Sequence, residues 1–379
     1  MLPAIVGPAI VSARALGRER VAAASERLTL GVIGMGPRCT YVLGEMLKFP
    51  DVQCVAIADV QASRRAAGKK LVDGHYGNAD CMLYRDFREL LARKDIDCVL
   101  IATGDRWHGK ASIMAAEAGK DIYCEKPLSV CMSESRAVAD EVKRLGRVFQ
   151  CGAQMSSEDF YWQARKFIKN GGIGKVIYAQ ADYSRNTKSG ADERGGEWNW
   201  HIDRDSSDSK SAGDAYIDWE QWIKHAPHRA FSQSRFFQFR KYWDYSGGIA
   251  TDLLYHFMAP LCIALDAKAP ERATGSGGIW IQKDDREVPD TLFINLDYPD
   301  DYSVIFTSSM ANETRNPLMI RGHKGTIYKN DDGSMRVVAE KQFADWFKKE
   351  HGAEEIVVKP EARPDHFTKW FNCMRDRTE

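Results

Sequence analysis

The chain has 379 residues, 44% hydrophobic and 28% charged, and its 53 basic and 53 acidic side chains cancel. That length exceeds one ordinary hydrophobic core and implies two domains. Evenly mixed charge leaves no basic stripe for nucleic acid, no apolar run approaches the roughly 20 residues that cross a bilayer, and the nine cysteines show no zinc-ligand spacing. No nucleic-acid or membrane partner and no metal is expected. Cys54, Cys98 and Cys124 lie in apolar runs and read as reduced packing residues.

Residues 1–27 stand apart. Leu2 to Ala15 reads LPAIVGPAIVSARA and closes on Ala13-Arg14-Ala15, the form of an export leader's end without its basic start. The pattern favours a periplasmic or otherwise exported protein; the alternative is a flexible arm on a cytoplasmic one. Leu28 to Ile33 is a short apolar run ending in glycines, the form of a buried parallel strand. Further strands are expected at Val52 to Ala58, Asp97 to Ala102, Asp121 to Cys124 and Val148 to Cys151, with helices at Trp107 to Ala118 and Ser133 to Leu145. This alternation predicts a doubly wound parallel sheet.

Near Gly152 the rhythm changes. A helix at Asp159 to Asn170 and a strand at Val176 to Tyr183 lead into an irregular, aromatic-rich insertion at 184–246. A helix from Gly248 to Leu265 follows. Alternating strands are then expected at Thr291 to Tyr298, Ser303 to Met310, Pro317 to Arg321, Thr326 to Lys329 and Met335 to Ala339. The expected architecture is an α/β domain over 28–152, then an α+β domain over 153–379 with a large, mainly antiparallel open sheet.

Gly34-Met35-Gly36-Pro37-Arg38-Cys39 joins the first strand to a helix, the context in which a glycine loop cradles a pyrophosphate. Gly34 permits the tight turn, Gly36 the close approach, and Pro37 suits the first helical turn. Asp59 closes the second strand, where a carboxylate takes both adenosine ribose hydroxyls and repels a 2′-phosphate. A Rossmann domain binding NAD is the reading; NADP is the lesser alternative, because Arg64 and Arg65 lie close by. Glu125, Lys126 and Pro127 follow another strand end, where ligands bind in such sheets. Lys126 there suits a substrate hydroxyl. Asp252 and His256 are one helical turn apart, so the carboxylate is expected to orient the imidazole and raise its basicity.

Taken in order, GxGxxC after a strand, Asp59, Thr103 to His108, Glu125-Lys126-Pro127 and GGxxxDxxxH (Gly247 to His256) resemble the Gfo/Idh/MocA family of oxidoreductases. The resemblance runs from about residue 28 to the C-terminus. It implies a reaction centre at Lys126, Asp252 and His256, a loop over the dinucleotide at Thr103, Trp107 and His108, and Gln154 beside the nicotinamide. Gly34, Met35, Gly36, Pro37, Arg38, Asp59, Glu125 and Lys126 complete the expected cofactor set. Gly104 stands where a proline is commoner, and the family's chains usually continue beyond the helix that ends here at Arg377.

Five of the ten tryptophans, Trp198, Trp200, Trp219, Trp222 and Trp243, fall between Tyr183 and Tyr245. Aromatic faces stack on the apolar face of a pyranose while charged groups read its hydroxyls. Arg185, Trp198, Trp200, Tyr242, Trp243 and Tyr245 are therefore the expected substrate-binding residues, and Trp219 and Trp222 the insertion's core. The expected activity is hydride transfer between a sugar or glycoside carbon and NAD, without a metal, in a homo-oligomer (dimer or tetramer) built through the open sheet face. One alternative is redox-neutral cleavage of a glycoside with a retained NAD, through a transient 3-keto sugar. Another is a non-catalytic NAD(H) sensor.

Overall fold

A computed structural model describes residues 26–187 and 200–378, together with Ala23. The leader-like stretch and Trp198 lie outside the described residues. The first domain alternates β1 (Leu28–Ile33), α1 (Pro37–Met46), β2 (Val52–Ala58), α2 (Ala62–Tyr76), β3 (Met82–Tyr84), α3 (Phe87–Leu91), β4 (Cys98–Ile101), α4 (Asp105–Glu117), β5 (Asp121–Glu125), α5 (Met132–Leu145) and β6 (Phe149–Gly152). Its six strands are parallel in the order β3-β2-β1-β4-β5-β6. β1 explains the uninterrupted apolar run: Leu30 and Val32 enter the core on one face and Ile33 the core on the other. Strand order reverses between β1 and β4, which opens a ligand crevice at their C-terminal ends.

The second domain runs through α6 (Asp159–Lys169), β7 (Val176–Asp182), α7 (Trp219–Ile223), α8 (Gln233–Phe237), α9 (Ile249–Asp252), α10 (Tyr255–Leu265), β8 (Arg272–Gly278), β9 (Thr291–Tyr298), β10 (Tyr302–Ser309), β11 (Met319–Gly322), β12 (Gly325–Lys329), β13 (Met335–Ala339), α11 (Ala344–His351), β14 (Glu355–Val358) and α12 (His366–Asp376). The eight strands pair as β14-β13-β12-β11-β7-β10-β9-β8, antiparallel except for β7 with β10. Ala179, Val304, Phe306 and Leu296 face the core with Leu253, Phe257 and Leu261.

Three features depart from the sequence reading. The helix expected over 248–265 breaks at Leu253–Leu254 into α9 and α10. β8 is an added edge strand whose RATGSGG sequence carries no hydrophobic alternation. The last helix, α12, packs Phe367, Trp370, Phe371 and Met374 into the core of the first domain, and Arg377 pairs with Asp121 at 2.8 Å. The chain's end thus returns to the parallel sheet.

Candidate active site

Gly34 turns the chain out of β1 with φ 86°, and a Cβ there would come within 2.9 Å of Ala102 and Thr103. Only glycine fits that close approach. Gly36 caps α1, with Pro37 in the first turn, and Arg64 Nη1 at 3.8 Å is the nearest atom to where its Cβ would be. Cys39 takes the third glycine's place fully buried between helix and sheet. Asp59 accepts the Met35 N–H at 2.6 Å and the Gln61 N–H at 2.8 Å, fixing the loop while still lining the crevice.

That crevice is a cleft of about 430 Å³. The parallel domain forms one wall with the glycine loop, Asp59 and Thr103; the insertion forms the other with Trp200, Phe236, Phe237 and Phe239. Arg64 lies under this cover, its guanidinium 5.1 Å from the Phe236 ring and 5.7 Å from the Phe237 ring. Trp107 also lines the cleft and donates its indole N–H to Trp222 O at 2.9 Å, tying cover to wall. His108 is buried behind the loop, its ring nitrogens 2.6 Å from Pro127 O and 3.1 Å from Thr103 O. It joins the loop to the end of β5.

The insertion therefore divides differently from the expectation that its aromatics wall a sugar pocket. Trp200 faces the dinucleotide cleft. Tyr242 and Tyr245 are 1% and 0% exposed and belong to a core with Trp219, Trp222 and Phe236. Trp243 points outward, 56% exposed. The physical reason is that a segment without a sheet of its own builds its core from whatever large side chains it has, and Tyr242 and Tyr245 are used there.

Lys126, at the end of β5, meets the second domain. Its Nζ donates to Asp252 Oδ1 and to Asp252 O, both at 2.7 Å. The break after α9 makes the second bond available: the His256 amide turns to Leu253 O, leaving the Asp252 carbonyl to the lysine. Asp252 Oδ2 lies 3.2 Å from Arg240 Nε, and Arg240 also lines the cleft. Behind Lys126, Glu125 pairs with Arg38 at 3.1 Å and accepts from Gln154 Nε2 at 3.0 Å. His256 stacks on Tyr183 (5.3 Å between centroids, 14° between planes), and Arg185 donates to Tyr183 Oη at 2.6 Å. The structure thus gathers Lys126, Asp252, His256 and Arg185 beyond one end of the cleft. Neither the ion pair of Arg240 with Asp252 nor the place of Tyr183 under the imidazole was marked by a motif: Arg240 lies in the irregular stretch, where no period marks an inward-facing residue, and Tyr183 at the expected end of a strand.

Burial opposes ionisation of Asp252, but Arg240 and Lys126 outweigh it and hold the carboxyl well below the usual carboxylate range. His256 goes against expectation. Burial, together with Lys126, Arg38 and Arg185, outweighs Asp252 and pushes the imidazole down to about 3 from 6.5. It is a neutral ring at any working pH. We predict that kcat/KM shows no acid limb near 6.5; such a limb, lost in His256→Gln, would contradict this assignment. The unfolded chain binds the extra proton, so His256 contributes stability above pH 6.5 that is lost as pH falls toward 3.

A glycine-loop cleft at the ends of a parallel sheet, beside a buried ion pair between Lys126 of the first domain and Asp252 of the second, defines a two-domain protein with an NAD-binding Rossmann fold. The chain belongs to the Gfo/Idh/MocA family: residues 28–153 match its model for the oxidoreductase family's NAD-binding Rossmann fold, and residues 187–352 its C-terminal alpha/beta domain. Among curated relatives, a 2,7-anhydro-N-acetylneuraminate hydratase from Mediterraneibacter gnavus is 26% identical over 65% of this chain and 55% of its own length. An inositol 2-dehydrogenase from Klebsiella pneumoniae is 30% identical over 40% of this chain and 44% of its own. The chain spans about half the length of the curated relatives it matches. Among solved structures, a levoglucosan dehydrogenase in complex with NADH shares the fold with a TM-score of 0.64 and 19% identity, over 93% of this chain and 91% of that one.

Proposed function

We propose that the protein transfers a hydride from a ring carbon of a sugar or glycoside to NAD held in the cleft. The observation that carries this reading is the Lys126–Asp252 pair, with the neutral His256, joined by Arg240 to a cleft whose Gly36 carries no side chain and whose Asp59 faces inward. NAD bound there supplies the hydride acceptor. Gly34 to Arg38 would hold its pyrophosphate and Asp59 its adenosine ribose. The Lys126 ammonium, fixed by Asp252, donates to the substrate oxygen that becomes a carbonyl, and the neutral His256 accepts its proton. Arg185, beside Tyr183, is placed to read a further hydroxyl. A sensor would need none of this proton machinery. The test is NADH formation with myo-inositol, levoglucosan and an aryl β-glucoside; no turnover of any of the three, with or without added NAD, counts against the reading.

A second reading is favoured by the hydratase relative, which matches more of this chain than the inositol dehydrogenase does. In it the hydride returns to the sugar after a transient ketone has acidified the neighbouring C–H, and the net reaction is cleavage or hydration. Exchange of that hydrogen with deuterated water separates the two.

Asp59→Ala is expected to weaken NAD binding by about tenfold or more, the scale of a hydrogen bond to a charged group, and to narrow the preference over NADP. Titration of both dinucleotides checks this; an unchanged preference would confine Asp59 to its bonds with Met35 and Gln61.

Two further proposals complete the reading. The open sheet face, where Tyr178, Gln180, Phe293, Asn295 and Ile305 are half-buried or exposed, is covered by a second copy of the chain; light scattering of the purified protein tests this, a monomer being the contrary result. The Leu2 to Ala15 pattern supports an exported location, tested by fractionating cells that make the full chain.

A further inference from the structure

Asp105 begins α4, directly after the cleft-lining Gly104, and is 1% exposed. An acidic residue in a first turn suits the helix dipole, but this side chain is engaged elsewhere. Its Oδ2 accepts the Ser246 hydroxyl at 2.6 Å, and Ser246 Oγ in turn accepts the Gly248 N–H at 3.2 Å. Gly248, with φ 62°, caps α9, and α9 ends on Asp252, which holds Lys126. The other oxygen, Asp105 Oδ1, is buried with no hydrogen-bond partner among the described residues.

We propose that Asp105 is a positioning residue of the reaction centre, tying α9, and with it Asp252 and Lys126, to the Thr103–Gly104 loop through Ser246. The inference rests on the reading of Lys126 and Asp252 as the reaction centre. The groups facing the carboxyl are Arg240 from the 239–241 turn, Asp252 from α9, Ser246, and His108 from its own helix. Burial pushes Asp105 above its usual range; Arg240 opposes this, Asp252 adds to it, and His108 and Ser246 oppose it. Asp105 holds α9 through Ser246, and Arg240, which faces both carboxyls, links that anchor to Asp252.

The test compares Asp105→Asn, which keeps the shape and an acceptor, with Asp105→Ala and Ser246→Ala. In hydrogen–deuterium exchange, Asp105→Asn should protect residues 247–256 as the wild type does, whereas the two alanine variants should exchange them about tenfold faster or more. On whichever of myo-inositol, levoglucosan or an aryl β-glucoside is turned over, the alanine variants should lose about 10–100-fold in kcat with KM and NAD affinity little changed, and Asp105→Asn should restore kcat. Unchanged exchange in Asp105→Ala, or an Asn variant as impaired as the Ala variant, would each overturn the proposal. The exchange arm needs no sugar, so a protein inactive on all three sugars would sink the proposed function while this arm still decides Asp105. Should Asp105→Ala fail to fold, Ser246→Ala and Asp105→Asn carry the comparison.

Discussion

Lys126→Met is expected to lower turnover by about 10²–10⁴, the usual contribution of a positioned acid–base group, while NAD affinity stays close to wild type. The two effects separate because Lys126 touches the second domain rather than the glycine loop: both of its hydrogen bonds go to Asp252. Methionine preserves the length of the stem, so α9 keeps its packing through Ile249 and Leu253. The remaining charge is not orphaned, because Arg240 still faces Asp252 Oδ2. The loss is thus of donation to the substrate oxygen and not of the fold. His256→Ala should also abolish turnover for a different reason, the removal of the neutral proton acceptor stacked on Tyr183. Steady-state kinetics with dinucleotide titration on both variants is the check. Near-wild-type kcat in both would move the reaction centre away from this cluster.

The parallel half of the molecule was legible because its strands are buried on both faces and read as unbroken apolar runs: β1 and β2 end where the sequence pattern ends them. The same logic fails at β8, which joins the sheet through backbone bonds alone, six of its seven residues being exposed. α12 has an apolar stripe at Phe367, Trp370, Phe371 and Met374, yet no local pattern says which of two domains receives it. At the site, Lys126, Asp252 and His256 were legible as ordered motifs. Their electrostatics were not: the spacing of Asp252 and His256 suggested a more basic imidazole, and the burial and three cations that reverse this come from other elements. Asp105 and Arg240 are charged residues whose burial depends on long-range contacts. In the insertion, composition identified the aromatic segment but could not separate Tyr242 and Tyr245, which build its core, from Trp200, Phe237 and Phe239, which cover the cleft.

That cover leads to the second large effect. The wild-type protein should purify with NAD(H) bound and release it slowly, because Trp200, Phe236, Phe237 and Phe239 close the cleft opposite the glycine loop, and Arg64 lies beneath Phe236 and Phe237. Slow release is a property of enclosure: related binding sites differ mainly in off-rate rather than on-rate. Phe237 and Phe239 are the informative pair to remove, since both line the cleft and are only partly buried, whereas Phe236 is buried within the insertion's core. Phe237→Ala with Phe239→Ala is expected to raise the dinucleotide off-rate by about 30-fold, equivalent to the ~2 kcal/mol of a buried aromatic contact. The melting temperature without dinucleotide should change little by comparison. Displacement of bound NADH by excess NAD, followed by its fluorescence, measures the rate directly. A retained cofactor also bears on the chemistry, because an enzyme that keeps its NADH must return the hydride before it can turn over again. Release of the leaving group from an aryl glycoside with no added NAD, no accumulating NADH, and uptake of deuterium from solvent beside the transient ketone would together mark the redox-neutral reading. Isolation of the wild type without dinucleotide, with rapid NAD exchange and one NADH formed per sugar oxidised, would reject the cover as a retention device and leave simple dehydrogenation as the reaction.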